Sequence, residues 1–404
     1  MAAPRMLVSL RHRNARRFFL GLLLSNVGTW MQMTASSLVI YQLTGRATDT
    51  GINLLCQFLP MLLLGSWAGA VADRRDKRRM ALLTQSLLAV QALVLGVVTL
   101  LGWVSLPLFF GMSLALGVIG AFDNPARRGF VLELVEPHEI GNAVALNTAV
   151  MTGSRIVGPA LAAFLEGPLG AGWLFMANGV SFLFLLVPLV RIDVEALHPS
   201  PPARRGGTPV RDALRFITGD PRLFRTFAVF ALVSTFAFNY SVSLLKIADQ
   251  RFDDRQLFGV LLAMTGVGSL VGSLLTAGRE RVTVAWFYGS GLLLGVSGLA
   301  LSWAPSTWAA VLLAIPVGIG GAGFIAGQNA VVQQEAPADM RGRLLALGAV
   351  AFLGSTPVGS PITGWIADHV SSEWSLAYGS LVAIPLCVIG LMAPGRQRPA
   401  DAAG

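Results

Sequence analysis

Apolar residues run in blocks of about 20 along almost the whole chain, separated by short polar or basic turns. Twelve blocks can be drawn, at 18–43, 50–71, 80–101, 106–122, 142–165 and 173–190, then at 223–245, 258–277, 283–303, 307–328, 344–366 and 375–392. A helix that crosses the hydrocarbon of a bilayer needs about 20 predominantly apolar residues. In lipid only helices and closed barrels satisfy their own backbone groups, and runs this long and continuous exclude the short alternating strands of a barrel. The pattern predicts an all-α membrane protein with twelve transmembrane helices in two pseudo-symmetric six-helix bundles. The first block has no small-residue cleavage pattern, so it reads as a retained span and not as a signal peptide.

Composition narrows this picture without changing it. Asp, Glu, Lys and Arg make up 13% of the 404 residues, about half the share of a soluble domain. Too little polar surface exists to clothe a water-soluble enzyme with one core. The two cysteines, Cys56 and Cys387, fall in different blocks and read as small apolar fillers. The net charge of +9 suggests a nucleic-acid partner until it is mapped. With the N-terminus inside, 25 of the 30 Lys and Arg fall on inside segments, counting Arg225 at the inside edge of the seventh block, 4 on outside loops and one, Arg155, deep within a block. Positive residues stay on the untranslocated side. Both termini are therefore expected in the cytoplasm, in the plasma (inner) membrane of a bacterial-type cell. The excess charge is expected to meet anionic lipid and no nucleic acid.

The stretch 191–221 breaks the apolar pattern. His198-Pro-Ser-Pro-Pro-Ala-Arg-Arg-Gly-Gly has the composition of a mobile linker. After it, Val210, Leu214 and Ile217 share one helical face with Arg211 and Arg215 off it, which predicts a short amphipathic helix on the cytoplasmic membrane surface. The chain is thus expected to divide into a bundle at 1–190, a basic linker at 191–221 and a bundle at 222–404. A weak internal echo agrees: Gly120-Ala-Phe and Val135-Glu-Pro-His-Glu are answered 200 residues later by Gly320-Gly-Ala and Glu335-Ala-Pro-Ala-Asp. Parallel repeats of this kind are an architecture of transporters.

The most specific spacing lies between the second and third spans, at Gly69-Ala-Val-Ala-Asp73-Arg74-Arg-Asp-Lys77-Arg78-Arg79. The glycine admits close helix approach. One turn later Asp73 stands at the membrane edge, where it can pair with the basic cluster or face the positive start of a neighbouring helix. The plainer reading is a short inside loop that has collected arginine. The string resembles the loop signature of the major facilitator superfamily, G-x-x-x-D-R-x-G-R-K. Asp76 replaces its second glycine, as in the branch that includes the enterobactin exporter and macrolide-efflux proteins. Other strings resemble the same branch: Thr29-Trp30-Met31-Gln32, Gln57-Phe-Leu-Pro60, Phe122-Asp123-Asn-Pro125-Ala126, Asn142-Ala-Val-Ala-Leu-Asn147 and Arg155-Ile-Val-Gly158-Pro159. The resemblance covers nearly the whole chain and is strongest in the first half. The second-half loop, Gly272-Ser-Leu-Leu-Thr276-Ala-Gly-Arg279, has lost its acid.

The resemblance implies a secondary active exporter of small, largely hydrophobic molecules (drug, siderophore or metabolite), working by alternating access in exchange for protons. It implies a conformational switch at Gly69, Asp73, Arg74, Lys77, Arg78 and Asp123. In that switch Asp73 meets the start of the eleventh span, and Lys77 or Arg78 pairs with Asp123. Ser154, Arg155, Gly158 and Pro159 resemble the antiporters' Gly-x-x-x-Gly-Pro signature, with Ser154 for its first glycine, and point to export. An importer, a carrier coupled to another ion, and a non-transporting membrane scaffold or sensor are the alternatives.

On the first span Asn26, Trp30, Met33, Ser37 and Tyr41 recur every three to four residues. First spans line the central cavity in the superfamily, so this stripe is either cargo wall or plain packing. Gln57, Asn147, Arg155, Asn239, Tyr240, Met264 and Gln328 are further cavity candidates in an apolar, adaptable site. Arg155, an ionisable group inside the membrane, marks a functional site by default. It either meets a polar or anionic cargo group or a proton site, or pairs with a carboxylate of the fourth span. Asp123 is the proton-coupling candidate, and a latch explains it equally well. No phosphate loop, zinc-type His spacing or Asp-rich motif occurs, so no metal, no cofactor and no enzymatic activity are expected. The expected partners of a monomeric protein are small-molecule cargo, protons and membrane lipid.

Overall fold

The computed structural model describes residues 5–198, 209–337 and 340–392. Every regular element among them is helical. The first half holds α1 (Arg13–Thr44), α2 (Ala47–Arg74), α3 (Lys77–Leu100), α4 (Leu106–Glu133), α5 (Ile140–Leu169), α6 (Ala171–Ser181) and α7 (Leu183–Val190). A short α8 (Pro209–Gly219) precedes the second half: α9 (Pro221–Ala237), α10 (Tyr240–Phe252), α11 (Arg255–Ala277), α12 (Val284–Ser302), α13 (Thr307–Glu335), α14 (Arg341–His369) and α15 (Ser372–Met392).

Eleven stretches among the described residues are long and apolar enough to cross a membrane, with α6–α7 and α9–α10 each counting as one. The expected twelfth, α1, is 32 residues long but is not among them. Ser25, Asn26, Gln32, Thr34, Ser36 and Ser37 dilute its apolar character, and all six are buried. A helix walled by other helices satisfies its polar groups against them and needs no apolar perimeter.

The break between α9 and α10 is stitched by one side chain. Asn239 Nδ2 donates to the Thr235 carbonyl at 2.6 Å, the acceptor that a continuous helix would serve with its backbone, while Oδ1 accepts from Ser360 Oγ of α14 at 2.7 Å. The break is thereby tied to a neighbouring helix instead of being left as an unsatisfied kink.

Packing repeats between the halves. In the first, α2 lies on α4, α1 on α5 and α6, and α3 on α4 and α6; in the second, α11 lies on α13, α9 on α14 and α15, and α12 on α13 and α15. The halves meet along α2 with α14 and α5 with α11, which are equivalent pairs under the same repeat. Below, the face carrying the α1–α2 and α3–α4 turns is called distal, and the face carrying Arg74–Arg79 basic.

The linker helix packs one face on protein. Residues 199–208 lie outside the described part, and α8 is helical as expected. However, Ala213 and Ile217 are buried against Phe227, Val332, Ala336, Met340 and Leu344 at the basic end of the second half, and Leu214 is the exposed member. Ile217 lies on both the predicted stripe and the docked face; where the stripe expects Leu214, Ala213 is the residue that meets protein.

Candidate functional site between the halves

Ion pairs decide what the basic face can do. Asp123, 1% exposed, sits on α4 with Arg127 one turn on as its salt-bridge partner. Thr84 Oγ1 and Gln85 Nε2 of α3 donate to Asp123 Oδ1 at 2.7 and 2.8 Å. Arg127 Nη1 reaches Asn26 Oδ1 of α1 at 3.4 Å, and Asn26 Nδ2 donates to Met151 Sδ of α5. The carboxylate is thus satisfied wholly inside the first half. Lys77, expected near Asp123, instead bonds Glu133 at 2.7 Å, and Arg78 donates to the carbonyls of Leu189 and Val190. Arg127 is nearer than either in sequence, and an i,i+4 pair on a helix forms without moving backbone.

Asp73 and Arg74 are exposed at the end of α2, and no neighbour approaches the Gly69 backbone. Among the described residues Asp73 makes no hydrogen bond or ion pair. The Asp73 contact to α14 and the close approach expected at Gly69 are not made here.

At mid-height the halves enclose Arg155, 15 residues from the start and 14 from the end of α5. Its guanidinium lies 4.9 Å from the ring centroid of Trp30 on α1 and 5.8 Å from that of Phe352 on α14, in the opposite half. The side chain keeps accessible surface, and among the described residues it has no acidic partner. Phe352 continues into an aromatic wall: Phe238 packs edge-on to it at 5.2 Å, with Tyr240 and Phe324 beyond at 6.3 and 6.2 Å. The residues beside Arg155 anchor the helix. Ser154 is buried and bonds its own helix at Val150, and Pro159 is buried. A methyl at Gly158 would press on the backbone of Val27 and Met31, so this glycine seats α5 against α1 and aims Arg155 at Trp30.

Of the other cavity candidates, Trp30, Met33, Asn147 and Tyr240 are half-buried, with Met33 packed toward the α3 cluster of Leu88 and Ala92. Asn26, Ser37, Gln57, Asn239 and Gln328 are buried in helix contacts. Gln57 bonds Ser113, and Ser37 bonds the carbonyl of Met33. Gln328 is fully enclosed beside Gly348 with neither amide atom partnered.

Nothing in the sequence marks the distal face as a site. Lys246 and Asp368, with side chains 5% and 9% exposed, pair at 2.8 Å. Lys246 Nζ also donates to the Gly45 carbonyl at 3.0 Å, and Tyr41 Oη donates to Asp249 at 2.6 Å. Asp368 in turn accepts from the backbone of Ala47 and Thr48. The Lys246–Gly45, Tyr41–Asp249 and Asp368–Ala47/Thr48 bonds join the two halves at this one face, while the Lys246–Asp368 pair lies within the second half and orients both partners toward the first. The available signal is the placement of acids at helix ends, which says nothing about their partners across the molecule.

Comparison with known proteins agrees with this architecture. The transmembrane secretion effector family matches over residues 5–402. The staphyloferrin A transporter of Staphylococcus aureus is 22% identical over 70% of this chain and 72% of its own length. The multidrug efflux pump Tap of Mycolicibacterium fortuitum is 26% identical over 94% of this chain and 95% of its own. Among solved structures, the nucleoside transporter NupG superposes with a TM-score of 0.74 over 94% of this chain and 98% of that one, at 12% identity, a likeness of fold. The chain belongs to the transmembrane secretion effector family of the major facilitator superfamily: it is an integral multi-pass membrane transporter and not an enzyme.

Proposed function

We propose that the chain exports small, largely hydrophobic molecules by alternating access, in exchange for protons. Residues 1–190 rock against 222–404, α1 serves as the twelfth span, and both termini lie in the cytoplasm. The observation that carries this reading is the uneven join between the halves: Lys246 to Gly45, Tyr41 to Asp249 and Asp368 to Ala47 and Thr48 across the distal face, with Asp73 unengaged on the basic face. Arg155 lies accessible at mid-height between them. An opening toward the basic side with a closed far side is the state in which an exporter loads. The names of relatives, an efflux pump and a siderophore transporter, support the direction.

Everted membrane vesicles test it. A fluorescent hydrophobic probe is expected to accumulate inside them when a pH gradient is imposed, and to leak out when a protonophore collapses the gradient. Accumulation only in right-side-out vesicles, or accumulation indifferent to the gradient, refutes export or proton exchange respectively.

The walls also say something about cargo. A guanidinium held between two aromatic rings without a carboxylate prefers a ligand that brings a flat apolar body and an anionic group. In nanodiscs, dansylglycine is expected to bind more tightly than the neutral dansylamide. Arg155→Gln should weaken the anion by about tenfold while leaving the amide unchanged. Equal loss for both probes would mark Arg155 as structural.

A further inference from the structure

Helices α2 and α14 carry the same device at opposite ends. They run antiparallel, since Ala47 and Thr48 meet Gly364, Gly51 meets Ser360 and Leu62 meets Gly354. The next-to-last residue of each is an aspartate: Asp73 in α2 (Ala47–Arg74) and Asp368 in α14 (Arg341–His369).

One of the two is engaged. Asp368 accepts from the Ala47 N–H at 2.9 Å, the Thr48 N–H at 2.8 Å and Thr48 Oγ1 at 2.7 Å. These backbone donors are ones that the first turn of any helix leaves free. The N-cap position of α2 is Arg46, which supplies no capping side chain, so the cap comes from the other half of the protein. Lys246 completes the clamp through the Gly45 carbonyl, where α1 ends in a left-handed residue with φ 66°. The negative member of the pair thus sits on the positive start of α2, and the positive member on the negative end of α1. At the opposite end the arrangement is not made: Asp73 is exposed, and α14 starts after Met340, which gives no side-chain cap.

We propose that Asp368 and Asp73 are reciprocal latches. Each caps the start of the other's helix, Asp368 holding the distal face shut and Asp73 the basic face. The Asp73 half follows from the superfamily resemblance; the Asp368 half is carried by the bonds above. The helices touch from Ala47–Gly364 to Leu62–Gly354, and beyond that contact a methyl at Gly65 or Gly69 would meet nothing within 4 Å. Rocking about that contact brings Asp73 to α14 only by drawing Thr48 away from Asp368. The inference rests on the alternating-access reading and adds the residue that closes the distal side.

Pulsed electron–electron distance measurements on the full chain test it, with Cys56→Ser and Cys387→Ala as background. Spin labels at Trp103 and Thr307, both exposed, report the distal face, and labels at Glu136 and Glu280 the basic face. The wild type is expected to populate a short distal and a long basic distance. Asp368→Asn keeps one acceptor oxygen where Ala47, Thr48 and Lys246 now share two, and it removes the charge that Lys246 faces. It should therefore raise the ratio of distal-open to distal-closed molecules about tenfold, and Lys246→Gln should move it the same way. Asp368→Glu should restore closure, and Asp73→Asn should move the ratio in the opposite direction. Should Asp368→Asn fail to fold, Lys246→Gln reads the same clamp. A distal distance unchanged in the foldable variants overturns the proposal. Flux is measured separately: absent transport with shifting distances counts against export and leaves the latch standing.

Discussion

Replacing Arg127 by leucine is expected to be among the most damaging single changes in the protein. Asp123 would remain 1% exposed, still receiving Thr84 and Gln85 but with no countercharge. Leaving one member of a buried ion pair alone typically costs about 3–5 kcal/mol. In a cooperative unit of roughly 150–250 residues that lowers the unfolding midpoint by about 10 °C. Thermal unfolding of the purified protein, followed by loss of the monodisperse peak, measures it. The double variant Arg127→Leu with Asp123→Leu is expected to recover most of the loss, because apolar residues of similar volume replace such a pair at little net cost. If the double variant falls as far as the single, the two charges are not coupled and Asp123 must be held by Thr84 and Gln85 alone.

This pair also shows where reading the sequence stops. The apolar blocks follow from solvent alone: lipid forces every spanning segment into a helix, and length and hydropathy suffice to find them. Even there α1 is borderline, because burial inside the bundle allows it polar positions, from Ser25 to Ser37, that lipid would forbid. Arg155 is legible for the same reason, as a charge that lipid disfavours. Partnerships are another matter. Asp123 is visible as an acid, but its choice of Arg127 over Lys77 depends on side-chain reach around one turn of α4. The Lys246–Asp368 clamp joins residues 122 positions apart and ties them to the end of α1 and the start of α2 in the other bundle. Nothing local in the Asp368 sequence announces a helix start belonging to Ala47. What the sequence does offer is an absence: Arg46 stands where Ser, Thr, Asp or Asn would cap α2, and a missing cap at a buried helix start asks for an acceptor from elsewhere.

Two glycine substitutions are expected to separate folding from gating, because the same added methyl meets different kinds of neighbour. At Gly318 of α13 a methyl would fall on the Thr265 carbonyl and the Ser269 nitrogen of α11, backbone of the same half. Those helices have no way to part without unpacking the bundle, so Gly318→Ala should destabilise by about 1–3 kcal/mol and lower the yield of folded protein. At Gly51 of α2 a methyl would fall on the Ser360 carbonyl and Pro361 of α14, backbone of the opposite half. There the strain has an exit: the halves swing apart at the distal face. Gly51→Ala should therefore fold with near wild-type thermal stability yet transport poorly, with distal-face distances lengthened as in Asp368→Asn. Combining Gly51→Ala with Asp368→Asn should add little further opening, since both remove the same closed contact and coupled neighbours are not additive. Equal destabilisation by Gly51→Ala and Gly318→Ala would instead mean that α2 and α14 are packed as permanently as α11 and α13. The distal face would then be a fixed seam, and a transporter working by rocking halves has to be able to open it.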